Sequence, residues 1–243
     1  MNWDEATYGE RIAHVYDELY EEVFDKAAAV DFLTERARGA RALELAIGTG
    51  RIALPLKNNG IEVSGIDISE AMVARLRAKP GGGDIPVTIG DFADVGIPGS
   101  FEVIFLVFNT LFALTTQEDQ LRCFTNVAGH LTDQGIFVVE AFVPDVTRFT
   151  RHQSLGVEDV QLDRVQLNAA LHDPALQTIT SQHVFITDEG TKLYPVKLRY
   201  VWPSEMDLMA KLAGMELRER YSSWRRDMFT SSSQSHISVY GRA

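Results

Sequence analysis

The chain has 243 residues, 45% of them hydrophobic, and a formal net charge of −11. That excess of acid argues against a nucleic-acid partner or an anionic membrane, because either would need clustered Lys and Arg. The one cysteine, Cys123, excludes an intrachain disulfide; in the amphipathic stretch "QLRCFTNVAGHL" it reads as a small buried apolar residue.

The opening "MNWDEATYGERIAHVYDELYEE" has neither the basic nor the apolar region of a secretory signal. No apolar run reaches the roughly 18 residues of a membrane span, so the expected location is the cytoplasm. Residues 5–38 read as two helices. "RALELA" (41–46) predicts a strand and "RIALPLKNNG" (51–60) a helix, with Pro55 near its start where the missing N–H costs little. "IEVSGID" (61–67) is the next strand, and Ser69 caps the helix "EAMVARLRAK". "PGGG" (80–83) is a loop breaker, and "DIPVTIGD" (84–91) predicts a third strand.

"FEVIFLVFN" (101–109) is an apolar run of strand length, as a strand buried on both faces requires. Thr115 and Glu118 have capping-box spacing before the helix that carries Cys123. "QGIFVVEAFVP" is a fifth strand. Strand and helix thus alternate through the first 140 or so residues, which predicts a doubly wound parallel sheet. The pattern then changes: residues 157–202 alternate as strands, with turns at "HDPA" and "TDEGT". "SEMDLMAKLAG" is a helix with Ser204 as cap and Gly214 as stop, and the strands "MELRERYSS" and "SQSHISVYGR" close the chain.

A parallel sheet binds ligands beyond the carboxyl ends of its strands, at the point where strand order reverses. Four features fall at such ends: the turn Gly48-Thr49-Gly50, Asp67, Asp91 followed by Phe92, and "VFNTLF" (107–112). "GTGRIA" also fits the G-x-G-x-x-A spelling of a dinucleotide site, so an NAD(P)-dependent oxidoreductase is the rival reading. That reading leaves Glu44 and Asp91 without a role.

Taken together, "ELAIGTG", Asp67, Asp91 and the terminal helix with its strand pair resemble the class I S-adenosylmethionine-dependent methyltransferases. Ala46 departs from the family pattern, standing where its first glycine would be. The resemblance implies an α/β Rossmann-like fold with a seven-stranded sheet, mostly parallel, with an antiparallel C-terminal strand and an added antiparallel β insertion. It divides the chain into a helical cap (1–40), a cofactor-binding core (41–143), the insertion (144–202) and a completing segment (203–243). The cofactor implied is S-adenosyl-L-methionine and the acceptor a small molecule, as in natural-product and antibiotic-sugar N-methyltransferases. A catalytically silent scaffold is the third possibility, towards which Ala46 leans. Carried over residue by residue, Glu44, Ala46, Gly48 and Gly50 place the methionine part, Asp67 the ribose hydroxyls, and Asp91 with Phe92 the adenine amino group. Ile68 and Met72 pack on the adenine, Phe108 and Asn109 line the sulfonium end, and Tyr20 lies over the cofactor.

A hydroxyl or protonated amine acceptor needs a base. Glu140, in the apolar run "IFVVEAF" and facing the same way as Val138 and Phe142, reads either as that base or as a structural hydrogen-bond acceptor. His152, His172 and His183 read as surface or turn histidines, and no histidine has metal-ligand spacing, so no metal is expected. Phe112, Phe142, Tyr200, Trp202 and Trp224 are candidates for the walls of a substrate pocket. The hairpin region offers a surface on which two copies could pair as a homodimer.

Overall fold

The computed structural model describes residues 7–20, 25–38 and 40–243. Three helices come first, not two: α1 (Thr7–Ile12), α2 (Tyr16–Leu19) and α3 (Lys26–Ala37). Asp25 caps α3 by accepting the Ala28 N–H at 3.1 Å. The helix buries Ala29, Val30, Phe32 and Leu33.

The core elements follow in order: β1 (Arg41–Leu45), α4 (Ala53–Asn58), β2 (Glu62–Asp67), α5 (Glu70–Ala78), β3 (Val87–Ile89), β4 (Phe101–Leu106), α6 (Gln117–His130) and β5 (Leu131–Phe142). Then come β6 (Gln153–Val160), β7 (Arg164–Asp173), β8 (Thr178–Thr187), β9 (Gly190–Arg199), α7 (Pro203–Leu212), β10 (Met215–Tyr221) and β11 (Ser235–Arg242). Seven strands make one sheet in the order β10-β11-β5-β4-β1-β2-β3, and β6 to β9 make a separate antiparallel sheet. In the seven-stranded sheet β11 runs antiparallel to both its neighbours. This is the expected α/β Rossmann-like architecture.

The core lies on both faces of the large sheet. On one face Phe124 of α6 meets Phe137 and Tyr240 edge-on at 5.2 and 5.7 Å, beside Met206 and Met209 of α7. On the other, α3 and α4 cover Ala42, Val63, Val103 and Phe105. Leu43, Leu45, Ile104, Phe105 and Leu106 are at most 1% exposed. Each such side chain contributes roughly 1.5–3 kcal/mol by leaving water, which explains the apolar run that follows Glu102 in β4. Cys123 is fully buried here, and burial pushes its thiol well up.

Three local expectations change. The cap of α6 is Thr116, whose Oγ1 accepts the Asp119 N–H at 3.1 Å. Thr116 has the extended backbone that a cap requires, with φ −123° and ψ 154°. Helix α7 is capped by Trp202 with Pro203 in its first turn, so Ser204 lies inside the helix. Gly214 does stop it, at φ 76°. The third strand is only three residues long.

Strand β1 is flanked by β2 on one side and β4 on the other, so strand order reverses between β1 and β4. The crevice beyond their carboxyl ends is where a ligand belongs. The four-stranded sheet and the N-terminal helices pack over that region: Phe185 and Tyr194 of the small sheet bury Ile12 and Ala13 of the α1 segment. Arg199, 6% exposed, ties the end of β9 to α6 and α7 through Gln120 and Glu205.

Candidate active site

The chain leaves β1 through a turn of left-handed residues: Ala46 (φ 54°), Gly48 (φ 57°) and Gly50 (φ 75°). The two glycines do different work. A Cβ on Gly48 would meet nothing closer than the flexible end of Met72 at 3.7 Å, an ordinary contact, so packing leaves the space beside its backbone open to a ligand. A Cβ on Gly50 would lie 2.3 Å from Leu76, so that glycine permits packing against α5. Ala46 adopts the left-handed conformation that explains glycine at this point of the pattern.

Asp67 fastens this turn. Its Oδ2 accepts the Gly48 N–H at 2.7 Å, and its Oδ1 accepts the Ser69 N–H at 2.8 Å. Ser69 in turn caps α5 by accepting the Met72 N–H. Burial raises the Asp67 carboxyl against the lowering effect of these N–H groups. Glu44, 3% exposed, has one oxygen, Oε2, with no hydrogen-bond partner among the described residues. Burial pushes its carboxyl well up, and the nearby Asp67 charge adds to this.

The N-terminal helices close over the turn. Lys79 pairs with Asp17 at 2.6 Å and donates to the Thr49 carbonyl at 2.8 Å, while Thr49 Oγ1 donates to Asp17. Glu10 accepts from Ser69 Oγ at 2.8 Å. The Tyr8 and Tyr20 hydroxyls share a 2.9 Å hydrogen bond, and burial raises both phenols. The Tyr20 ring meets Phe108 edge-on at 5.9 Å. Arg51 donates to the Tyr20 carbonyl at 2.8 Å and lies 4.5 Å over the Phe108 ring.

Beyond β4, Phe108 (φ 62°) and Asn109 (φ 61°) are consecutive left-handed residues without being glycine. Such conformations cost roughly 1–3 kcal/mol each and persist only where surroundings enforce them. Here the Phe108 N–H donates to Glu140 Oε2 at 2.8 Å, and Asn109 Oδ1 accepts the Phe142 N–H at 2.6 Å. Glu140 Oε1 also accepts from Trp224 Nε1 at 2.9 Å. Burial, outweighing both N–H groups, raises Glu140 to about 6. Both oxygens are therefore engaged, one holding β5 to the Phe108 turn and the other holding Trp224 in the segment between β10 and β11.

These elements enclose a cavity of about 930 Å³. Of the cofactor candidates, Tyr20, Glu44, Ala46, Gly48, Asp67, Ile68, Met72, Phe92, Phe108 and Asn109 lie on its wall; Gly50 and Asp91 do not. Asp91 accepts from Ala93 N–H and from Arg122, each at 2.8 Å. Of the substrate candidates, Phe142 is on the wall, with Phe112 packed beneath it at 4.8 Å. Trp224 instead faces Phe32 at 5.5 Å, Tyr200 is buried against His172, and Trp202 begins α7. Glu140 is likewise behind the wall. The wall adds Tyr8, Tyr16, Arg51, Thr115 and His183, which sequence reasoning did not assign to it.

The wall suits S-adenosyl-L-methionine. The unpartnered Glu44 oxygen fits an ammonium, the open Gly48 backbone fits the close approach of an amino acid, and Ile68, Met72 and Phe92 offer apolar faces to a base. The rival dinucleotide reading leaves that buried oxygen unexplained.

Comparison with known proteins agrees. A family profile described as "Methyltransferase domain" matches residues 42–135. The cypemycin N-terminal methyltransferase of Streptomyces sp is 25% identical over 244 residues, covering 98% of this chain and 99% of that protein. The dTDP-4-amino-2,3,4,6-tetradeoxy-D-glucose N,N-dimethyltransferase of Saccharopolyspora spinosa is 27% identical over 142 residues, 56% of each chain. Among solved structures, the CcbJ methyltransferase from Streptomyces caelestis superposes with a TM-score of 0.94 at 38% identity, covering 99% of this chain and 100% of that one. Sheet order, glycine turn, cavity wall and full-length likeness converge: the chain belongs to the class I S-adenosylmethionine-dependent methyltransferases.

Proposed function

We propose that this methyltransferase acts on a nitrogen of a small amine held inside the cavity. The observation that carries this reading is the cavity itself. Its volume of about 930 Å³ is near the upper end of small-ligand pockets, leaving room for an acceptor beside the cofactor. It is partly covered by α1, α2 and strands β8 and β9, which favours a compact acceptor over a long polymer. Relatives whose names specify a nitrogen acceptor, the two above among them, support the choice of an amine.

S-adenosyl-L-methionine, when bound, supplies an electrophilic methyl on a sulfonium. Glu44 would hold its ammonium, Asp67 its ribose hydroxyls, and Ile68, Met72 and Phe92 its adenine. Phe108, Asn109 and Tyr20 would flank the reacting end. Aromatic faces there attract a cationic ligand, while rigid walls hold the acceptor at attack distance. Phe142, Thr115, Val196 and Leu198 form the wall left for the acceptor's body.

The test is a panel of small primary and secondary amines, alcohols and phenols, incubated with S-adenosyl-L-methionine and read for S-adenosylhomocysteine and for acceptor mass. Turnover with amines is expected. Methylation confined to oxygen acceptors, or to a protein or nucleic acid, overturns the reading.

A further inference from the structure

We propose that His183, oriented by Glu158, accepts the proton that the acceptor nitrogen sheds. This rests on the amine-methylation reading above and adds a named base to it.

His183 is on β8, opposite Tyr194 of β9 and Asn168 of β7. Its neighbours on that face of the small sheet include Phe185 and Val196, which turn inward. The residue lies on the wall of the main cavity and also on that of an adjoining chamber of about 510 Å³. Tyr20, whose ring meets Phe108, is the other residue common to both walls. His183 and Tyr20 therefore mark where the lining of the main cavity meets that of the chamber.

Glu158 of β6 settles which nitrogen is available. Its Oε2 is 3.1 Å from His183 Nδ1. Asn168 Nδ2 is 3.4 Å from the same nitrogen, so the shorter contact is the carboxylate's. Gln166 Nε2 donates to Glu158 at 2.6 Å and fixes it in turn. The hydrogen bond to His183 is the largest influence holding the Glu158 carboxyl below the usual range. With Nδ1–H donating to this carboxylate, the lone pair is on Nε2, which is the tautomer a base requires. A base oriented by a third group is the arrangement that recurs in proton-transfer sites.

The other polar groups nearby are poorer choices. Tyr8 and Tyr20 are phenols raised by burial, and Glu140 has both oxygens occupied. The charged groups facing His183 and the chamber are Glu158 and Asp159 of β6, Arg164 of β7 and Glu18 of α2. Asp159 and Arg164 pair with each other at 2.9 Å.

The proton balance is complete. An alkylammonium gives one proton to His183 Nε2, and the freed lone pair forms the new C–N bond. The carbon–sulfur bond breaks with its electron pair staying on sulfur. The methylated ammonium leaves, and His183 passes its proton to water.

The experiment compares wild type with His183→Ala, His183→Gln and Glu158→Gln, using an amine that the wild type methylates. At neutral pH the His183 variants should lose about 100-fold in kcat/KM, the usual scale for a general base. That loss should shrink as pH rises towards deprotonation of the free amine, and a weakly basic aryl amine should be spared. Glu158→Gln should lower kcat with little change in KM. Binding of S-adenosylhomocysteine, read by thermal shift, should match wild type in all three, which shows that they are folded. A loss under about threefold, less than 1 kcal/mol, overturns the proposal. So does a loss that is equal at every pH and for both amines, since that marks a structural role. A wild type that methylates no amine overturns the underlying reading instead, before any variant is compared.

Discussion

Replacing Glu140 with Gln tests whether this carboxylate is held as the structure shows. Two effects oppose each other. Gln keeps one acceptor oxygen but turns an NH₂ towards either the Phe108 N–H or the Trp224 Nε1–H, the two donors now at 2.8 and 2.9 Å. A buried donor left unmatched costs about 1–3 kcal/mol. Against this, burial raises the Glu140 carboxyl from 4.5 to about 6. A carboxyl that holds its proton more tightly in the folded chain adds stability at low pH, and that stability is lost as pH rises from the unfolded value through the folded one. At roughly 1.4 kcal/mol per pH unit the swing comes to roughly 2 kcal/mol. Near pH 7 the two effects nearly cancel, and the variant should unfold within about 1 kcal/mol of wild type. Below about pH 4.5 the gap should widen by roughly 2 kcal/mol in favour of wild type. Urea unfolding across this range measures it directly. A gap that stays constant within about 0.5 kcal/mol, or that narrows on acidification, would refute the account of Glu140 as a carboxylate raised by burial between two N–H donors.

Ala46→Gly removes a left-handed cost of about 1–2 kcal/mol and adds about 0.5–1 kcal/mol of unfolded-chain entropy, so a gain of up to about 1.5 kcal/mol is expected in thermal unfolding. A destabilised variant would contradict the φ of 54° at this position. Glu44→Gln should raise the stability of the ligand-free protein at neutral pH, because a carboxyl raised by burial is unfavourable once ionised. The same change should weaken S-adenosyl-L-methionine by at least about tenfold in calorimetry, through loss of a charge-assisted hydrogen bond. Unchanged affinity would remove Glu44 from the cofactor site.

The alternation of apolar strands and capped helices made the large sheet legible, because β1 and β4 are buried on both faces and are apolar apart from Arg41, Glu44 and Glu102. Asp67 and Ser69 were legible for a local reason: each acts within a few residues of a strand end or helix start. Tyr8 and Tyr16 were not, because their helices are only six and four residues long and show no period. His183 reads as a surface or turn histidine until β8 is placed over the crevice. Asp91 shows the converse: its strand position is clear in sequence, whereas its pairing with Arg122 depends on how α6 packs beside it. The capping role passed from Thr115 to Thr116, and Thr115 is instead on the cavity wall.

The contacts that hold α1 and α2 over the glycine turn have a kinetic consequence. Asp17, Lys79, Thr49, Glu10 and Ser69 clasp two short helices that share few apolar contacts with the main sheet. Should a nucleoside leave past these helices, turnover would have an upper bound set by how often that clasp releases, however fast the methyl moves.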